Sequence, residues 1–245
     1  MTRQIVRGLA MAAMTLLALT GCVTLPEQQA YNREAHANIK TMAVLETRNN
    51  DVHVFMLNNP GASFGLIGAL IAAGDQAGKE KTFHETMAKA GFNAQAYFKE
   101  RLTARMAEHG YTLIWPNSQF ETSKAQREMV GLRKSYAAVQ GADAQLDVNL
   151  NLVGYAAAGA GAGSPYRPTV TASVRVVSAD GKQNFYTDYF AYNNVFNSAK
   201  SVVLSADPVK YSYPHFTELD AAGTDAVEGL KIAIDAVADA IAHQL

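Results

Sequence analysis

Leu146-Asp147-Val148-Asn149-Leu150-Asn151-Leu152 decides the class of fold. Apolar and polar residues alternate along it, the period of a strand with one face on a core and one wet face. The following stretch repeats the pattern. Val170, Ala172, Val174 and Val176 alternate with Thr169, Thr171, Ser173 and Arg175. Ala179-Asp180-Gly181 then offers hairpin-turn chemistry, and Phe185 to Tyr192 (FYTDYFAY) returns as an aromatic strand. Three antiparallel strands are therefore expected, with Ala156 to Ser164 (AAAGAGAGS) as a flexible loop between the first two.

Helical periods flank this block. Phe83, Met87 and Ala90 keep a helix spacing that Gly91 interrupts. Asn93 is the type of residue that caps a second helix, whose apolar face is Tyr97, Phe98, Leu102 and Met106 and whose end is marked by Gly110. Tyr111 to Trp115 (YTLIW) reads as a buried strand stopped by Pro116. Ser123 can cap a helix running to about Gln140, with Met129, Leu132 and Tyr136 on one side. At the far end Val227, Leu230, Ile234, Val237 and Ile241 step by three and four, the stripe of an amphipathic helix.

Upstream, Met42 to Thr47 (MAVLET) and Val52 to Leu57 (VHVFML) are short β-prone runs. Arg48-Asn49-Asn50-Asp51 between them allows either a hairpin or two successive strands. The order is strands, helix, strand, helix, three strands, helix. It predicts an α/β chain (α+β remains open) with a mixed sheet of about five to six strands covered by helices. Residues 41–245 read as a single domain.

Four short features carry a family resemblance: Thr41-Met42-Ala43-Val44-Leu45-Glu46, Gly110-Tyr111, Ala142-Asp143, and Arg175-Val176-Val177-Ser178-Ala179-Asp180-Gly181. Together the pattern resembles the domain shared by the curli-secretion lipoproteins and the amino-terminal domain of TolB. The likeness spans most of residues 41–245 and departs from that pattern between Asn58 and Lys81. It implies a domain that works inside an envelope assembly.

The first 21 residues read as an export signal. Arg3 and Arg7 make a basic start, and Leu9 to Leu19 (LAMAAMTLLAL) is an eleven-residue uncharged run. A bilayer span takes about 20 apolar residues, so this length suits a signal rather than a span. The run ends in Leu19-Thr20-Gly21-Cys22, which resembles the lipobox of bacterial lipoproteins. The resemblance implies cleavage before Cys22 and a lipid anchor on it, with Val23 pointing to an outer membrane at its periplasmic face. Residues 22–40 then form the lipidated cysteine and a polar tether. Several acyl chains anchor stably where one does not.

Cys22 is the chain's one cysteine, so lipid there leaves the domain no disulfide, CxxC pair or cysteine-metal site. Removing residues 1–21 from the 245 leaves 224, and 19 basic against 22 acidic residues, a net charge of −3. No basic stripe exists, which speaks against nucleic-acid binding. The expected partners are the membrane and an envelope protein or a second copy of the chain.

Among motifs with chemical content, Gly61-Ala62-Ser63-Phe64-Gly65 fits a G-x-S-x-G nucleophile elbow. A serine hydrolase would use Ser63, with His215 (or His243) as base and Asp207 orienting it. The serine stands early in the chain and no oxyanion segment precedes it, so a glycine-rich turn into an apolar helix is the preferred reading. Phe64 to Ala73 (FGLIGALIAA) is open to three readings: buried core, oligomer contact or membrane contact. The six histidines show no H-x-x-x-H pair, and neither a metal nor a cofactor is assigned. Tyr211, Tyr213 and Phe216 in a Tyr/Pro loop are candidates for a ligand- or glycan-binding surface.

Overall fold

The computed structural model describes residues 25–46, 52–58, 65–115, 127–128, 130–193, 201–204 and 210–245. Among the described residues, seven strands form one mixed sheet: β1 (Thr41–Glu46), β2 (His53–Asn58), β3 (Thr112–Ile114), β4 (Ala144–Gly159), β5 (Arg167–Ser178), β6 (Asn184–Tyr192) and β7 (Val202–Leu204). The helices are α1 (Gly65–Lys89), α2 (Ala94–Glu108), α3 (Phe216–Ala222) and α4 (Thr224–Gln244). The fold is α/β, as the alternation of periods predicts.

Sheet order is β3-β1-β4-β5-β6-β7, with β2 also paired to β4. The meander β4-β5-β6 is antiparallel, whereas β1 and β2 both run parallel to β4. Of the two arrangements left open for residues 42–57, the chain takes successive strands. β1 lies along Ala144–Val148 and β2 farther along the same strand, beside Gly154–Gly159.

One face of the sheet is the core. Leu146, Val148, Leu150, Val174 and Phe190 are buried against Phe83, Phe98, Leu102, Leu230 and Ile234 of the helices. The α4 stripe is buried as its period requires. Asn93 caps α2 by accepting from the Ala96 N–H at 2.8 Å, and Gly110 follows its last turn at φ +85°. β3 is a three-residue edge strand in which Leu113 alone is buried, so the YTLIW run is not the buried strand expected. β4 continues to Gly159, which shortens the expected glycine-alanine loop and buries Ala156 and Ala157.

The expected wet face of β4 is dry. Gln145, Asp147 and Asn149 are 1%, 0% and 7% exposed. The cover is the segment in which a helix to Gln140 was expected, and its described residues, 127–128 and 130–140, form no helix. The physical reason is local. Gly131 stands at φ +81°, and Glu128 and Leu132 close a turn through a 2.8 Å backbone bond. The next N–H, that of Arg133, donates to Asp147 at 2.7 Å instead of to a helical carbonyl. The Arg133 guanidinium also reaches the same carboxylate, and it donates to the Leu45 carbonyl at 2.6 Å. The Tyr136 hydroxyl donates to Asp147 at 2.9 Å, and Gln145 donates to the Ala137 carbonyl at 2.9 Å. Arg175 of β5 pairs with Glu128 at 2.8 Å. Burial pushes the Asp147 carboxyl up, against the pull of Arg133, and also raises the Tyr136 hydroxyl.

Residues 25–40 pack onto the domain. Gln28 donates to Asp188 at 2.7 Å, Gln29 bridges Thr187 of β6, and Tyr31 stands edge-on to Tyr186. Asp143 joins this entry to the sheet. Its carboxylate accepts from the N–H groups of Lys40 and Thr41 and from the Thr41 hydroxyl, all at 2.8–2.9 Å.

Two predictions follow from these carboxylates. Asp147→Ala removes the carboxylate that faces the buried Arg133 guanidinium, and should cost about 3–5 kcal/mol in a denaturant titration. Replacing Arg133 by Met and Asp147 by Leu together should recover part of it, and a single-variant loss below about 1 kcal/mol would show that the pair does not hold the cover. The hydrogen bonds from Lys40 and Thr41 lower the Asp143 pKa. Its folded-state pKa is therefore below the unfolded one, so its stabilisation is complete above about pH 4 and is lost as pH falls through the folded value. Asp143→Ala should be less stable than wild type at pH 7, and the gap should close in acid. A gap independent of pH would contradict the assignment.

Candidate functional site

Cys22, Ser63 and Asp207 lie outside the described residues. His215 is exposed at the start of α3, where its side chain makes no capping bond. The third candidate group is brought together. Tyr213 exchanges two backbone bonds with Tyr166, at 2.8 and 2.9 Å, and its ring lies 5.6 Å from that of Tyr155. Phe216 meets Tyr166 edge-on at 6.5 Å, and the Lys210 ammonium sits 5.1 Å from the Tyr211 ring. The three candidates are partly buried, so the cluster closes the gap between the β4–β5 hairpin and the start of α4 while keeping an outer rim. Tyr186, Phe190 and Tyr192 of the aromatic strand are buried core residues instead.

Tyr155 is the centre of this cluster. It is fully buried, its ring is 5.9 Å from Phe83, and its hydroxyl donates to the Ala226 carbonyl at 3.1 Å. Burial raises the pKa of Tyr155, Tyr166 and Tyr213. Gly229 on α4 makes this approach possible. A Cβ there would stand 3.0 Å from both Pro168 and Tyr211 and would run into the Tyr155 hydroxyl.

A pocket of about 220 Å³ lies elsewhere, lined by Arg33, His36, Lys40, His109 and Tyr111 among others. Arg33 already donates to the carbonyls of Leu245 and His243, at 3.0 and 2.6 Å.

A third group was not assigned from sequence. His53 of β2 and Glu80 and His84 of α1 place Nδ1, a carboxylate oxygen and a ring nitrogen within 4.8 Å of one another. His53 Nδ1 is 2.5 Å from Glu80 Oε1, and His84 Nε2 is 3.9 Å from the same oxygen. The other carboxylate oxygen accepts from the Val54 N–H at 3.0 Å, and Gln76 donates to the Val54 carbonyl. Glu80-x-x-x-His84 is the signal that was present in the sequence, because residues four apart share a helix face. His53 carried no signal, since only the sheet register brings it there. Gly154, its partner on β4, admits the close backbone approach: a Cβ on Gly154 would collide with the His53 carbonyl.

Comparison of the chain with models of protein families, with curated proteins and with solved structures finds no match. The functional reading therefore rests on the residues themselves.

Gly229→Ala tests the helix–sheet contact. On an exposed helix the exchange would stabilise by up to about 1 kcal/mol. Here overpacking against Tyr155 and Pro168 should destabilise by about 1–3 kcal/mol, read as a lower denaturation midpoint. A stability gain would mean that α4 does not approach the hairpin so closely.

Proposed function

We propose that this chain is an envelope lipoprotein, held by lipid on Cys22 at the periplasmic face of an outer membrane. It acts through protein contacts, as an accessory or assembly factor. The observation that carries this reading is the run from Arg3 to Cys22: basic start, eleven apolar or small uncharged residues, then Leu19-Thr20-Gly21-Cys22. No described helix is long and apolar enough to cross a membrane. In this reading the lipid does the anchoring.

The seated N-terminal segment adds a distance. Gln28, six positions after Cys22, already bonds to Asp188. Six extended residues reach at most about 20 Å, so a domain on this lead stays at the membrane surface. Contact surface is available on the edge strands. Leu57 of β2, Ile114 of β3 and Val203 of β7 are 44%, 40% and 53% exposed. Among the described residues no further strand pairs with the outer edges of β3 and β7, and apolar side chains beside such edges favour the addition of a partner's strand. The resemblance to the curli-secretion and TolB domain group points the same way, by analogy of fold.

Cys22→Ala should shift the protein from the membrane to the soluble fraction while leaving its unfolding midpoint unchanged. The wild-type protein, extracted gently in detergent, should show a native mass above that of one chain. Membrane retention of the variant would remove the anchor from this reading, and a lone monomer would remove the assembly role.

A further inference from the structure

We propose that His53, Glu80 and His84 form a binding site for a divalent transition ion of the zinc type. Glu80 and His84 stand one turn apart on α1, and His53 faces them from β2, so the three donors come from two elements. Bonds of about 2.0–2.2 Å at tetrahedral angles set neighbouring donor atoms roughly 3.3 Å apart. The distances of 2.5 and 3.9 Å from Glu80 Oε1 to the two imidazoles bracket that spacing. All three side chains are partly exposed, with room for the small rotations that would equalise them.

Two further observations favour an ion over a simple hydrogen-bonded group. The Nε2 atom of His84 is sealed from solvent and has no hydrogen-bond partner among the described residues, an arrangement native proteins rarely leave uncompensated. Glu80 Oε2 is held by the Val54 N–H, so the carboxylate is already oriented by the kind of outer hydrogen bond that steadies metal ligands. Two imidazoles and one carboxylate suit zinc, cobalt, nickel or copper. Calcium asks for six to eight oxygens, and magnesium for an octahedron of them. The partial exposure leaves a fourth position for water or a ligand. An ion here would fasten α1, the helix that begins within the apolar run Phe64–Ala73, to edge strand β2.

The test uses the full chain with Cys22 replaced by Ala, so that the lone thiol takes no part. The protein is stripped with chelator, then titrated with cobalt followed by zinc. One cobalt per chain with the visible bands of tetrahedral coordination is expected, displaced by zinc, together with a rise in melting temperature that magnesium and calcium do not produce. His84→Ala and Glu80→Gln should each weaken binding roughly tenfold or more. His84→Ala should keep the metal-free melting temperature, because the bonds of Glu80 to His53 and Val54 remain. His36→Ala, remote from the site, should bind as the parent does. Absence of saturable binding, or binding that survives His84→Ala, would overturn the site and leave the lipoprotein reading untouched.

Discussion

The carboxylate of Asp147 sits near the start of β4, on the face turned away from the helices, fully buried, and it accepts from the Arg133 guanidinium, the Arg133 N–H and the Tyr136 hydroxyl. A carboxylate so placed is costly unless donors surround it, and here they come from one short stretch of chain. That requirement decides the course of residues 130–140. Their backbone is bent at Gly131 and drawn across the sheet, where Arg133 also ties to β1 through Leu45 and Arg175 of β5 ties to Glu128. Asp147 thus fastens Arg133 and Tyr136 to β4, while Arg133 ties in β1 and Glu128 ties in β5, and a sheet face that would be wet becomes an interior.

The opposite face is organised by apolar burial and by close approach. Gly229 lets α4 settle against the hairpin until the Tyr155 hydroxyl meets the Ala226 carbonyl. Gly154 does the same between backbones, letting the start of β2 come against β4 and fixing where His53 stands. The candidate functional features sit where these contacts stop. The aromatic rim of Tyr211, Tyr213 and Phe216 borders the first, and the His53-Glu80-His84 group borders the second. At the edge of β2, side chains of α1 serve both backbone groups of Val54, protecting an edge that no further strand covers among the described residues.

What was legible in the sequence was whatever depends on neighbours along the chain. The two-residue period located β5, the aromatic run after a turn located β6, the three-four period located α4, and Asn93 and Gly110 marked the ends of α2 as their backbone chemistry requires. The alternation in β4 was legible as strand but misleading as to water. Polar residues at strand spacing announce a solvent face only when no other segment supplies partners for them. Residues 130–140 had helical spacing at Leu132 and Tyr136, yet the tertiary demand of Asp147 overrode that weak preference.

The sequence by itself determined the class of fold, the antiparallel centre of the sheet and the amphipathic closing helix, because local period and composition encode these. Only the tertiary structure decided that Gln145, Asp147 and Asn149 of β4 are buried, that Gln28, Gln29 and Tyr31 dock on β6, and that His53 meets Glu80 and His84. Each of these joins residues distant in the chain, and side chains from separate elements meet only through strand register and helix docking, which no local period contains.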